Sequence, residues 1–111
     1  MKHNLTQYLQ KTVKVKMDRP MWSKHPKYWF IYPVNYGFIP DTIAPDWAEI
    51  DAYILGEFES LENFEWKVIA IINRKNDIEQ KLVVSNKEYS KEQIMALVEF
   101  QERYFESDVI V

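Results

Sequence analysis

Between Asp18 and Gly56 the chain sets one arginine (Arg19), an Asn-Tyr-Gly turn ending at Gly37 and three closely spaced carboxylates, Asp46, Glu49 and Asp51. Glu49 and Asp51 are two residues apart in an alternating segment, so a strand would carry both on one face, about 6.5 Å apart at roughly 3.3 Å per residue. That separation suits one hydrated ion or a pair of ions. Hard oxygen donors of this kind select Mg²⁺ or Mn²⁺ over zinc. Asp46, in the preceding loop, offers a third oxygen, and Asp77 and Glu79 in a later polar turn repeat the pattern. On spacing alone, both sets also suit an ordinary solvated strand face or turn.

Arg19 follows the first strand-like segment, Lys81 opens a later one, and Tyr36 and Tyr104 carry phenolic donors. A guanidinium fork matches phosphate oxygens and a lysine acts on them as a point charge. Each of these is equally at home on a surface or in a core, so they make a site only if the fold brings them together. With two glycines in the chain, phosphate-cradling glycine loops are excluded, and no Ser-His-Asp order or nucleophile elbow is present. His3 and His25 stand too far apart for a zinc motif, and the absence of cysteine removes thiolate chemistry and Cys-ligated metals. A different chemistry is written in Trp22–Tyr32, where lysines interleave with aromatics as in single-strand nucleic-acid binders. The acidic pI near 5.4 counts against nucleic acid as a partner.

The elements that must position these residues can be read from periodicity. At 111 residues the chain has room for one core, so residues 1–111 are expected to form a single domain. No apolar run approaches the roughly 20 residues of a membrane helix, and the first residues lack the apolar stretch of a signal peptide, so a cytoplasmic setting is expected. The net charge of −3 is unevenly spread: residues 1–30 hold seven Lys/Arg against Asp18 alone. Segregation of this kind can set a cationic wall opposite an anionic one.

Leu5, Tyr8 and Leu9 have helical spacing after Asn4, a candidate cap. Thr12–Met17 alternates as a strand, Tyr28–Tyr32 is the aromatic candidate for another, and Glu49–Leu55 places Glu49, Asp51 and Tyr53 on a polar face with Ile50, Ala52 and Ile54 on the core face. Lys67–Ile72 and Lys81–Val84 read as a hairpin around a doubly buried strand. Ser90 and Gln93 have capping-box spacing ahead of a stripe of Ile94, Leu97, Val98, Tyr104 and Phe105, and Asp108–Val111 could add an edge strand. Short strands followed by one helix imply an α+β fold, expected as a small OB-like antiparallel β-barrel with a C-terminal helix, since closure removes exposed edges.

The ordered series MDRPM, IYPVNYGFIPDTIAPDWAEIDAYILG, KVIAIINRKNDIEQKLVV and FQERYF resembles the soluble, metal-dependent inorganic pyrophosphatase family, and its short bacterial members in particular, from Thr12 to Phe105. The resemblance implies an OB-like barrel that hydrolyses pyrophosphate with Mg²⁺ (or Mn²⁺), as a cytoplasmic homo-oligomer. It puts Asp46 and Asp51 at metal-binding positions, Asp77 and Glu79 near further ones, and Arg19, Tyr36, Lys81 and Tyr104 at phosphate-contacting or supporting ones. Asp51, Glu49, Arg19 and Lys81 are then the candidates for catalysis. Three positions depart from the pattern: Ala48 replaces the signature's middle aspartate, Trp47 the glycine before it, and Phe105 a lysine after Tyr104. A strand carrying a Lys and a Glu ahead of the family's arginine also has no counterpart. Metal-assisted phosphoryl transfer needs a group that positions and deprotonates water. The expectation is therefore hydrolysis of pyrophosphate or a related phosphoanhydride, weakened by Ala48, with a catalytically inactive binding or structural protein as the alternative.

Overall fold

The computed structural model describes residues 5–43, 48–75 and 79–111. Six strands and one helix follow in the order β1 (Thr12–Arg19), β2 (Asn35–Ile39), β3 (Ile50–Ile54), β4 (Asn63–Arg74), β5 (Gln80–Ser85), α1 (Lys91–Glu102) and β6 (Ser107–Ile110). The sheet order is β1-β2-β3-β5-β4-β6, and β1 also pairs with β4, which closes the first five strands into a barrel. This is the expected OB-like α+β fold, with one difference: β3 and β5 run parallel, while the other four barrel pairings are antiparallel.

The barrel is apolar on both faces. Val13, Val15 and Met17 from β1 meet Ile50, Ala52 and Ile54 from β3, and Leu82 and Val84 from β5, inside it. On the outside, Tyr53, Ala70, Ile72 and Val83 pack under Ile94 and Val98 of α1. Each fully buried aliphatic side chain contributes about 1.5–3 kcal/mol, so two such layers share one sheet. The face of β3 expected to be polar is thus covered: Tyr53 is fully buried beneath the helix, and Asp51 lies at the edge of that cover. The doubly buried strand is β4: Val68 and Ile71 face the inner layer and Ala70 and Ile72 the outer one, and the register shift between Val68 and Ala70 leaves the neighbours Ile69 and Ala70 both on the outer layer.

Three local expectations are corrected. Leu5–Leu9 makes a 3₁₀ turn, Thr6–Tyr8, rather than an α-helix; Asn4 lies outside the described residues. Tyr28–Tyr32 is not a strand: an isolated Lys24–Ile31 bridge and backbone hydrogen bonds from Trp22 to Tyr32, Tyr32 to Ser23 and His25 to Phe30 hold the segment, and its rings pack on one another and on Tyr104. Asn35–Gly37 is not a turn but the start of β2. Gly37 is needed there for close approach, since a Cβ would stand 2.1 Å from the Lys16 carbonyl oxygen. Where Met17 pairs with Gly37 and Arg19 with Tyr36, Asp18 becomes the extra residue of a bulge in β1. The α1 capping box forms as expected, with Ser90 Oγ accepting from the Gln93 N–H and the Gln93 side chain from that of Ser90. Leu97 is exposed, and Tyr104 and Phe105 lie beyond the helix end.

Candidate active site

The bulge in β1 decides which side chains reach the outer edge of the barrel. Regular alternation would send Asp18 and Arg19 to opposite faces; the extra residue re-aims them, and both line a cavity of about 320 Å³. β2 contributes Tyr36, β3 Asp51 and β5 Lys81, each from the outward-facing set of its strand. The end of α1 and the residues after it add Gln101, Tyr104 and Phe105. A larger groove of about 880 Å³, beside Trp66, Ser85 and Tyr89, holds none of the candidate catalytic, substrate or metal residues.

Lys81 is the centre of the cavity floor. It is 3% exposed, and its Nζ donates to Tyr36 Oη at 2.6 Å and Asp51 Oδ2 at 3.0 Å, with Glu79 Oε2 at 3.4 Å. Burial, then the charge of Asp51, pushes the Tyr36 phenol well above its ordinary range, so Tyr36 stays neutral and keeps its proton. The Asp18 carboxyl is raised by partial burial; the Arg19 guanidinium opposes this, and the charges of Asp51 and Glu49 add to it.

A hydrogen-bond chain ties the cavity to the helix. Arg19 donates to Tyr32 Oη, Tyr32 to Gln101 Oε1, Gln101 to Tyr53 Oη, and Tyr53 to Glu102 Oε2. Glu102 in turn accepts two bonds from Arg74, at 3.0 and 2.8 Å, and one from Ser107 Oγ at 2.7 Å. The Arg74 guanidinium sits over the Phe105 ring, 3.6 Å from its centroid. Phe105, standing where a lysine was expected, thus meets a cation rather than a phosphate.

Arg19, Tyr36, Asp51, Lys81 and Tyr104 therefore meet at one cavity, and Glu79 reaches it through its ion pairs with Lys81 and Arg74. Glu49 is exposed ahead of β3 and outside the lining, although its charge acts on Asp18. Asp46 and Asp77 lie outside the described residues. Sequence reasoning passed over Asp18 and Arg74 as site residues, and it read the run that holds His25, Tyr28, Phe30 and Tyr32 for a different partner, single-stranded nucleic acid. The polar turn and the aromatic run were visible; their convergence was not.

Among the described residues no three His, Cys, Asp or Glu side chains form a metal cluster. Asp18 and Asp51 do share the cavity with interacting charges. Mg²⁺ is commonly held by one or two carboxylates together with substrate phosphates and water, so this donor set fits a hard dication at that level.

Comparison with known proteins decides the family, because the model of the family described as inorganic pyrophosphatase matches residues 2–108. The chain belongs to the inorganic pyrophosphatase family. A curated member, the inorganic pyrophosphatase of Saccharolobus solfataricus, is 36% identical over 44 residues, which are 40% of this chain and 23% of that enzyme. The match thus spans about a quarter of the curated relative's length. Among solved structures, the inorganic pyrophosphatase from Ehrlichia chaffeensis superposes with a TM-score of 0.68 at 16% identity, over 89% of this chain and 84% of that one. The Thermus thermophilus inorganic pyrophosphatase gives 0.62 at 14% identity, over 100% and 85%. At such identities the likeness is one of fold, and it places the barrel and C-terminal helix within the pyrophosphatase architecture.

Proposed function

We propose that this family member hydrolyses inorganic pyrophosphate, or a related phosphoanhydride, to phosphate with Mg²⁺ (or Mn²⁺). The observation that carries the reading is the joining of Asp51, Lys81 and Tyr36 at one point of a cavity that Arg19 and Tyr104 also line. Asp51 and Asp18 would hold the ion, with Asp46, Asp77 and Glu79 as the further expected ligands. Bound there, it would supply Lewis-acid neutralisation of charge on the phosphoryl oxygens. Arg19 offers its fork to one phosphate. Lys81 and the neutral Tyr36 place a positive charge and a phenolic proton where negative charge gathers on the leaving phosphate, the main demand of phosphoryl transfer. Glu49, exposed ahead of β3, is the nearest carboxylate to Ala48 in sequence.

Phosphate release from pyrophosphate with Mg²⁺, abolished by chelation and reduced at least about 100-fold in Asp51→Ala, is the expected outcome. Release no greater than that of Asp51→Ala overturns the proposal. Ala48 and the outward position of Glu49 favour a second reading, a binding protein that keeps the barrel and lacks turnover. It predicts pyrophosphate binding with no phosphate released in the same assay. We further propose a cytoplasmic homo-oligomer: Trp22, Trp29 and Phe58 are exposed large apolar side chains, of the kind that mark contact surfaces when they cluster. Sedimentation at micromolar concentration tests this.

A further inference from the structure

The cavity has two chemically different halves. Its floor carries Lys81, Asp51, Arg74 and Arg19, whereas its mouth is aromatic. Tyr28, Phe30 and Tyr104 lie with centroids 5.9–6.2 Å apart and planes within 12–22° of one another, and Tyr28 and Tyr104 are 56% and 58% exposed. A small polyanion can use the phenolic hydroxyls of Tyr28 and Tyr104 but gains nothing from the faces of these near-parallel, half-exposed rings. A planar base does gain: stacking on aromatic faces is the common means of holding a nucleobase.

Among its own side chains the floor has little positive charge to spare. Lys81 is paired with Asp51 and Glu79, and Arg74 with Glu79 and Glu102. Of the lining lysines and arginines, only Arg19 forms no ion pair among the described residues; its guanidinium donates to Tyr32. One spare guanidinium can take one phosphate. A bound dication would serve the phosphates alongside it, and the rings are what the cavity offers to the rest of a larger ligand.

We infer that the site takes a nucleoside diphosphate, its base stacked on Tyr28 and Tyr104 and its terminal phosphate directed to Arg19. A diphosphate is the smallest nucleotide with both a base and a phosphoanhydride, and 320 Å³ is at the small end of the roughly 300–1,000 Å³ of small-molecule sites. This substrate class rests on the hydrolase reading above only for the bond broken. In that step the oxygen of water joins the terminal phosphorus while the bridging P–O bond breaks. The bridging oxygen leaves on the nucleoside monophosphate, and the hydrogens of water end on inorganic phosphate or as a released proton.

The test measures ADP and pyrophosphate side by side on the full chain with Mg²⁺, by phosphate release and by equilibrium dialysis, in wild type, Tyr28→Ala and Tyr28→Phe. Tyr28 is solvent-exposed, and Phe keeps the ring. The expected result is ADP binding weakened about 10-fold by Tyr28→Ala and preserved by Tyr28→Phe, with a smaller change for pyrophosphate. ADP bound in this ring-dependent way without turnover supports the inference while sinking hydrolysis. Pyrophosphate cleaved with ADP neither bound nor cleaved overturns the inference and leaves the hydrolase reading intact. Equal ADP affinity in wild type and Tyr28→Ala overturns it as well.

Discussion

Lys81 satisfies three oxygens with one buried ammonium, and that crowding makes it the most sensitive residue of the site. Replacing it with methionine keeps the stem and removes the charge, leaving Asp51 and Glu79 with no cation between them. For Lys81→Met, phosphate release should fall about 100-fold or more, the usual cost of losing a fixed charge aimed at the transition state. Lys81→Arg should not restore it, because a planar fork does not replace a point charge. Wild-type kcat in Lys81→Met would remove Lys81 from the chemistry. Asp51 was legible in the sequence because strand alternation fixes which face a residue takes; Lys81 and Tyr36 were legible from their residue types and from the family resemblance. Arg74 was not, since it reads as part of a polar turn and owes its burial to Glu102, 28 residues away. Asp18 was hidden for another reason: its direction depends on a bulge, and a bulge leaves no mark in the period-2 pattern.

At the scale of elements, β1, β3, β4, β5 and the capped helix follow from periodicity, and β2 does not. Its Asn-Tyr-Gly looks like turn chemistry, yet Gly37 serves the approach of two strands. The Tyr28–Tyr32 run erred the other way, because aromatic enrichment reports fitness for a half-buried surface rather than for a strand backbone. That surface turned out to be a cavity wall. The bareness of Gly37 and the bulge at Asp18 belong together, since a Cβ on Gly37 would strike the Lys16 carbonyl where β1 bends. Gly37→Ala should cost about 3 kcal/mol in chemical denaturation, the upper range for overpacking. It should also lower phosphate release beyond what the unfolded fraction explains, because moving β1 moves Arg19. A stable Gly37→Ala with wild-type rates would show that the bulge does not depend on that contact.

Across the whole molecule, one sheet serves two apolar layers, and α1 closes the outer one through a polar clamp at Glu102. This carboxylate is 2% exposed, and it joins β3, β4, α1 and β6 through Tyr53, Arg74 and Ser107. Burial alone would raise its pKa; the hydrogen bonds from Arg74, Tyr53 and Ser107 and the Arg74 charge outweigh burial and hold it below the ordinary range. A carboxyl more acidic in the folded state contributes stability that is fully present above its unfolded value of about 4.3 and is lost as pH falls through the folded value. Glu102→Gln has no such titration, and it leaves the buried Arg74 facing a neutral partner. At pH 7 the variant should be less stable by about 3 kcal/mol, a Tm drop of roughly 10–15 °C for a chain of this size. The gap between the two Tm curves should stay constant down to about pH 5 and close below pH 4 as wild-type Glu102 takes up its proton. All other carboxyls titrate in both proteins, so the closing of the gap isolates this one. Parallel curves down to about pH 2 would mean that Glu102 gives no ionisation-linked stability and that the helix is held to the barrel by its apolar face and the neutral hydrogen bonds of Gln101.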